Sequence, residues 1–496
     1  MHIHVFTNDL RLFDNKVLSL VRSRKLDAAG ALAVFVVNPS QVSNTSAHKH
    51  SSANAIKFMV ESLESLDSEL RAAGGRLIVT TPESFFGLLS KPNISMDVRS
   101  VSISKSITLF GSARSNRLRE ACRKSGITLV EEWDFPLLTP FTKSNAFPAE
   151  NVDAVGEVEK TDPYVIFSSF YKRAVSDYLP VDSGFSLSKL GSSVRWFGKS
   201  TPHSTGKAIK GVVNVLESDS IDLQSIGNWQ ERYSPLLSIK GGRAEGLLAL
   251  RGSLQKFMSR DDLSTGGGSG LSAYLNFGCL SPREVYNRWL SSGVNASYLG
   301  GSEEAIRQLV WRDFYHSLLL VPANREYTWL DPTYRSIKWG NDPRLYAALW
   351  DSKTGFHMVD AAMRQLRLSG WMPNRMRLIW SWFCIKILHL DPFHRDMGAY
   401  YIFSRLLVDA CASQNKFNFE WIISTLDLAG RRFSRGDPMA GRYFDVSVKT
   451  GLKKNNAKAW LDEWLPVDMR VTTPVVDLDK QYAKWNSMVK RARASS

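Results

Sequence analysis

A chain of 496 residues, 44% hydrophobic and 22% charged, is long enough to bury a large core and to divide into two or more domains. No apolar run approaches the roughly eighteen residues that a membrane span needs. Its four cysteines (Cys122, Cys279, Cys384, Cys411) lie far apart with no Cys-x-x-Cys pair, which argues against a structural metal or cluster site and for a reducing compartment, nucleus or cytoplasm.

The N-terminus, Met1-His-Ile-His-Val-Phe6, reads as the start of a strand with no leader before it. Residues 2–6 and 31–37 are expected as buried parallel strands, the second being a short continuous apolar run. Further strands are expected near 76–80, 100–104 and 127–131, with helices near 15–25, 54–73 and 113–124. Gly74-Gly75 closes the second of these helices. The alternation implies a doubly wound parallel-sheet α/β domain over residues 1–135. It lacks a Gly-x-Gly-x-x-Gly after the first strand. Residues 136–240 are turn-rich and polar, an interdomain connector with a helix around Phe167–Tyr178. From Gly241 the pattern is helical almost throughout, giving an all-helical domain over 241–485. Residues 486–496 are a short basic tail, expected as a frayed solvated end.

The net charge is +15, and it is unevenly spread. Residues 301–496 carry 29 Lys/Arg against 20 Asp/Glu, residues 1–300 carry 34 against 28. A basic excess that thickens where aromatic residues concentrate is the footprint of a nucleic-acid binder, although a merely basic soluble surface has the same sum.

The stretch Gly370–Trp421 carries the densest chemistry. Gly370 suits a left-handed helix cap, and Pro373 suits the first turn of the next helix. Met372, Met376, Ile379 and Phe383 then make an apolar stripe. A second face holds Trp371, Asn374, Leu378 and Trp382 with Arg375 and Arg377 on its flanks, a mixture that suits a large, flat, anionic partner better than water. Three more stretches matter. Gly266-Gly-Gly-Ser-Gly-Leu-Ser272 offers backbone donors to a phosphate, or is simply a flexible loop. Gln308-Leu-Val-Trp-Arg-Asp-Phe-Tyr315 sets Trp311 and Arg312 beside an amphipathic face. Lys353-Thr-Gly-Phe-His-Met-Val-Asp360 leads into a core helix.

Taken together, Leu-Ser-x-Tyr-Leu-x-Phe-Gly-x-Leu-Ser-Pro, Trp-Arg-Asp-Phe-Tyr, Thr-Gly-Phe-x-x-Val-Asp-Ala-Ala-Met-Arg-Gln-Leu and Gly-Trp-Met-x-Asn-Arg-x-Arg resemble the photolyase/cryptochrome family, and within it the class I cyclobutane pyrimidine dimer photolyases. The resemblance is strong over about 265–425 and partial over 1–135. It implies a helical domain holding FAD, reduced when active, and a monomer that acts on UV-damaged DNA by light-driven electron transfer. It places Gly268, Ser269, Gly270, Leu271 and Ser272 at the cofactor's phosphates. Arg312, Asn374, Arg377, Asp409, Ala410, Cys411 and Asn415 would surround the rest of the cofactor, Asn415 near flavin N5. It places Arg260, Gln308, Trp311, Asn374, Arg375, Leu378 and Trp421 on the substrate, with Asn415 and Gln308 closest to the chemistry. A cryptochrome-type photoreceptor signalling through protein partners, or an enzyme for (6-4) photoproducts, are the alternatives the same resemblance carries.

Several positions depart from the family pattern. The tryptophan relay that feeds electrons to the flavin keeps Trp329 at its outer end, but Phe419 stands at the flavin-proximal place and residues 390–395 hold no Trp. Phe is much harder to oxidise than Trp, so slow photoreduction is expected. Trp380 and Trp382 are extra indoles able to replace the relay, core packing being their ordinary use. Gln308 replaces an acidic residue and Leu378 a Met. Thr7 stands where an Arg is usual, which weakens the case for an antenna chromophore such as a folate.

Overall fold

The computed structural model describes the chain apart from residues 39–41, 43–52, 92–96, 142–163, 181–182, 198–211, 217–219, 227–235, 238, 260–262, 264–267, 293–299, 321–331, 424–456 and 495–496. The first half builds the expected parallel sheet: β1 (His2–Phe6), β2 (Ala31–Val36), β3 (Leu77–Thr80), β4 (Ser100–Ser104) and β5 (Thr128–Glu132), in the order β3-β2-β1-β4-β5. Helices α1 (Lys16–Ser23), α2 (Ala53–Ala72), α3 (Pro82–Ser90) and α4 (Leu109–Lys124) connect the strands. Asn15 starts α1 by accepting the Leu18 amide, and Thr108 starts α4 by accepting that of Gly111, each satisfying a donor that the helix leaves orphaned. Helix α3 has no counterpart among the expected elements. Thr81 caps it and Pro82 opens it, a start signal hidden in a nine-residue apolar segment that also suits a strand.

In the connector, α5 (Phe167–Asp177) forms as expected. The second half is helical: α6 (Arg243–Met258), α7 (Ser272–Asn276), α8 (Pro282–Ser292), α9 (Gly300–Leu319), α10 (Pro343–Trp350), α11 (His357–Ser369), α12 (Asn374–Trp382), α13 (Ala399–Leu406), α14 (Ala412–Ile423), α15 (Ala457–Trp464) and α16 (Leu478–Ala494). The described residues thus form an α/β domain followed by a long run of helices. One expectation fails at the end of the chain. Residues 486–494 are not frayed but belong to α16, which buries Trp485, Met488, Val489 and Ala492. Apolar residues at helical spacing outweigh the basic ones that suggested a tail.

Buried charge fixes the seam between the halves. Arg11 Nη2 lies 2.7 Å from Asp134 Oδ2, and Arg283 of α8 reaches Asp14 at 2.8 Å and the other Asp134 oxygen at 3.2 Å. The same loop hugs α7: Asn8 Nδ2 donates to the Asn276 carbonyl, and the Leu10 amide to that of Phe277. Gly278 makes this approach possible. Its φ is 72°, and a Cβ there would sit 2.0 Å from the Asn8 carbonyl oxygen.

Arg283→Met would take from buried Asp14 its ion-pair partner and leave Asp134 with Arg11 alone, and should cost about 3–5 kcal/mol of unfolding free energy, measurable by denaturant titration at pH 7. Burial alone would raise the Asp134 carboxyl, but Arg11 and Arg283 outweigh it and hold it below its ordinary value. The folded state therefore binds fewer protons here than the unfolded chain. The stabilisation is complete above the unfolded carboxylate pKa of about 4 and is lost as pH falls through the lower folded value. In Asp134→Asn, less stable at pH 7, the acid limb of the stability profile should be shallower by this contribution.

Candidate functional site

Two cavities flank one residue, Cys411. The smaller lies between α12 and α14 and is closed by α13. Its walls include Asn374, Arg377, Leu378, Asp409, Asn415 and the rings of Phe403 and Phe419. Local sequence explains how it is held open. Gly370 caps α11 with φ 69° as expected, and its carbonyl accepts the Val408 amide at 2.9 Å. A Cβ on Gly370 would meet Val408 Cγ2 at 2.8 Å, so the loop carrying Asp409 can dock against this turn only because the residue is Gly. Pro373 falls one position earlier than expected, as the extended residue before α12.

The polar groups of this cleft are only partly matched. Arg377 donates from Nε to the Met372 carbonyl (2.7 Å) and from Nη2 to Asp409 Oδ2 (3.0 Å), while its guanidinium lies 5.1 Å above the Trp371 ring. The second oxygen of Asp409 and the amide nitrogen of Asn415 are buried without a hydrogen-bond partner, each worth about 1–3 kcal/mol of lost solvation. Asn415 sits inside the first turns of α14 with its side chain on the cleft wall. A ligand presenting an acceptor to Asn415 and a donor to Asp409 would satisfy both. The ring edge of a flavin, with acceptors at N5 and the neighbouring carbonyl and a donor at N3, has that pattern.

The larger cavity, about 560 Å³, lies between the carboxyl edge of the sheet and the helical half. This is the side on which open α/β sheets bind ligands, and the strand order reverses here between β1 and β4. Phe6, Lys105, Arg114, Phe135, Arg312 and Cys411 are among its lining. Arg114 Nε has no partner, and burial lowers the guanidinium to about 10, against the pull of Asp9. Arg312 donates to the carbonyls of Phe135 and Leu275. Asp313 beside it accepts the Leu137 and Leu138 amides, yet burial pushes its carboxyl up to about 6. On the shared wall, Cys411 Sγ is 3.7 Å from His316 Nε2. Burial, and then Arg312, holds this imidazole well below its ordinary value, hence neutral at pH 7.

The structure brings Asn374, Arg377, Leu378, Asp409, Cys411 and Asn415 to one cleft. Arg375 and Trp421 are half-buried on the same two helices. Arg312 and Ala410 line the larger cavity instead. Gly268, Ser269, Gly270, Leu271 and Ser272 line neither. Leu271 is fully buried in the core, and Ser269 Oγ accepts the Leu271 amide. Gln308 is exposed on α9 and bonded to Glu304. Trp311 stacks on Phe167 of α5 at 3.5 Å, nearly parallel, so one of its faces is already covered. Trp382, expected on the partner-facing side of α12, is buried and packs towards Tyr482 of α16. Arg260 and Trp329 lie outside the described residues. Among the described residues no helix is long and apolar enough to cross a membrane and no metal-ligand cluster occurs. Sequence reasoning missed Arg114, Phe403 and the whole larger cavity. No local motif marks them: Phe403 is one aromatic among several in a short apolar helix, Arg114 meets Asp9 from about a hundred residues earlier, and the larger cavity draws its walls from both halves of the chain.

Comparison with known proteins follows this geometry. A family model described as DNA photolyase matches residues 2–184, and one described as the FAD binding domain of DNA photolyase matches residues 305–493. The deoxyribodipyrimidine photo-lyase of Streptomyces griseus is 30% identical over 508 residues, covering 97% of each chain. That of Thermus thermophilus is 33% identical over 48% of this chain and 54% of its own. Among solved structures, an archaeal photolyase from Sulfolobus tokodaii with two FAD molecules superposes with a TM-score of 0.73 at 24% identity, over 99% of each chain. A bacterial class III photolyase from Agrobacterium tumefaciens gives 0.75 at 21%, over 99% and 98%. At these identities the solved structures establish the fold.

If the orphaned groups serve a bound ring system, Asn415→Ala should lower the flavin retained per protein after gel filtration by about tenfold, the loss of one hydrogen bond of ~1.4 kcal/mol. A near-unchanged melting temperature of the flavin-free variant would show that the amide serves the ligand and not the fold.

Proposed function

The chain belongs to the photolyase/cryptochrome family, and we propose that within it this protein is a blue-light-driven repair enzyme that splits cyclobutane pyrimidine dimers in DNA. The observation that carries the reading is the cleft between α12 and α14, where Asn415 and Asp409 keep buried polar atoms unmatched beside the Arg377 pair. FAD, reduced when active, supplies the light absorption and the electron that opens the cyclobutane ring and returns. The chain's own part is to bind, orient and exclude water. Arg377 and Asp409 fix each other, so neither has to reorganise when the cofactor enters. Asn415 can donate to a ring acceptor without titrating. Leu378 on the cleft wall, Arg375 and Trp421 on the same two helices, and Gln308, Trp311 and Arg260 are the residues proposed to meet DNA. An extruded base stacked on an indole gains about 1–3 kcal/mol, and arginines at the mouth offset the phosphates.

The larger cavity supports a second, light-gathering chromophore. Lys105 and the unmatched Nε of Arg114 favour one that carries an anionic group. Arg114→Ala should then release this chromophore while leaving FAD in place, visible as loss of one of two absorbing species from the denatured protein.

A cryptochrome-type photoreceptor is the second reading, and one observation favours it: Phe167 already covers a face of Trp311. Reduced protein bound to a thymine-dimer oligonucleotide and lit with blue light decides between them. Light-dependent loss of the dimer is expected. Absence of repair, together with light-dependent binding of a protein partner, would replace the enzyme with the receptor.

A further inference from the structure

The cofactor cleft opens onto an unbroken line of aromatic rings. Phe403 and Phe419 form part of its wall. Trp380 stacks on Phe403 with centroids 5.1 Å apart and planes at 21°. Phe403 meets Phe419 at 5.6 Å, Phe419 meets Tyr400 at 6.5 Å, and Tyr400 meets Tyr401 at 5.6 Å. Trp380 is fully buried, whereas Tyr401 is partly exposed. Three of these five rings are oxidisable, and the two phenylalanines fill the spaces between them and the cleft.

We propose that Trp380 is the cofactor-proximal electron donor of this protein and that Tyr401 is the outer end of its relay. The inference rests on the flavin reading above. It distinguishes between two indoles that the sequence leaves equivalent. Residues two apart on a helix point about 200° from each other, and accordingly Trp380 faces Phe403 while Trp382 packs towards Tyr482 at 5.6 Å.

One electron moves from the Trp380 indole to the light-excited oxidised flavin, leaving an indole radical cation. Trp380 Nε1 has no hydrogen-bond partner in the described structure, so nothing beside it takes the proton and the cation persists in its protonated form. Tyr401 then returns an electron to Trp380 through the intervening rings and releases its phenolic proton to water. The Arg405 guanidinium, 5.9 Å from the Tyr401 ring, favours that proton's departure. A thiol reductant in solution restores the tyrosine.

The test uses the full chain loaded with oxidised FAD, under blue light with a thiol present. Photoreduction should proceed in the wild type, fall by at least about tenfold (~1.4 kcal/mol in barrier) in Trp380→Phe, and stay unchanged in Trp382→Phe, with equal flavin content in all three. In the wild type, transient absorption should show the protonated indole cation, followed by a tyrosyl signal in electron spin resonance that Tyr401→Phe removes. Because the radicals are read in the unaltered protein, a variant that fails to fold leaves the test intact. Wild-type rates in Trp380→Phe, or no indole radical in the wild type, would overturn the relay. If that same protein still repairs dimers after chemical reduction, the relay alone has failed. A protein that holds no flavin overturns both readings.

Discussion

Arg11, Asp14, Asp134 and Arg283 are at most 3% exposed, and burying four charges is costly unless each is matched. Here nearly every polar atom has a partner: Asp134 takes Arg11 on one oxygen and Arg283 with the Lys16 amide on the other, while Arg283 also donates to the carbonyls of Asp14, Asp134 and Pro136. A network of this kind contributes more to uniqueness than to net stability. Shifting the helical half by one residue against the loop after β1 would leave several charges unpaired at once. The two halves therefore meet in a single register, and the carboxyl edge of the sheet faces the helices at a fixed distance.

That register makes both cavities. The larger one exists because the sheet edge and the α13–α14 loop are held apart by the seam, and the smaller because the same loop is pinned to Gly370. Cys411 belongs to both linings, so whatever occupies one cavity is separated from the other by little more than a thiol and the His316 ring behind it. Among the buried polar atoms that lack a partner, the oxygen of Asp409 and the nitrogen of Asn415 stand on the wall of one cleft, the arrangement expected where a ligand completes the bonding. The Arg377–Asp409 pair fits that view, since a preformed ion pair orients a cofactor without a further ordering cost.

Much of this was readable in the chain. The five strands and the cap at Gly370 follow from short-range patterns, an apolar run and a glycine at a helix end, whereas the grouping of Asn374, Arg377, Asp409 and Asn415 is what the resemblance to the photolyase/cryptochrome family implied. What could not be read depends on distant neighbours. Trp382 stands on the mixed face of its helix in projection, yet Tyr482, a hundred residues later, draws it inward. Leu271 sits within a glycine-serine loop that suggested a phosphate, but its own side chain is core. The terminal basic residues hid the apolar positions of α16. Nothing near Arg114 in sequence tells that Asp9 and the cavity lie beside it.

The same distinction bears on Phe419. Read along the chain, a phenylalanine at that position breaks an electron path, because a relay described by motif has one residue per step. Electron transfer depends on ring separation and oxidisability, and neither is a property of sequence position. Phe419 is 1% exposed and sits in contact with Phe403 and Tyr400, so it occupies the place of a step without obstructing its neighbours. Trp380 reaches the cleft wall by stacking on Phe403, from a different helix and a different direction. A break in the familiar route is thus compatible with another path, provided that the oxidisable rings lie one van der Waals layer behind the residues that line the cleft.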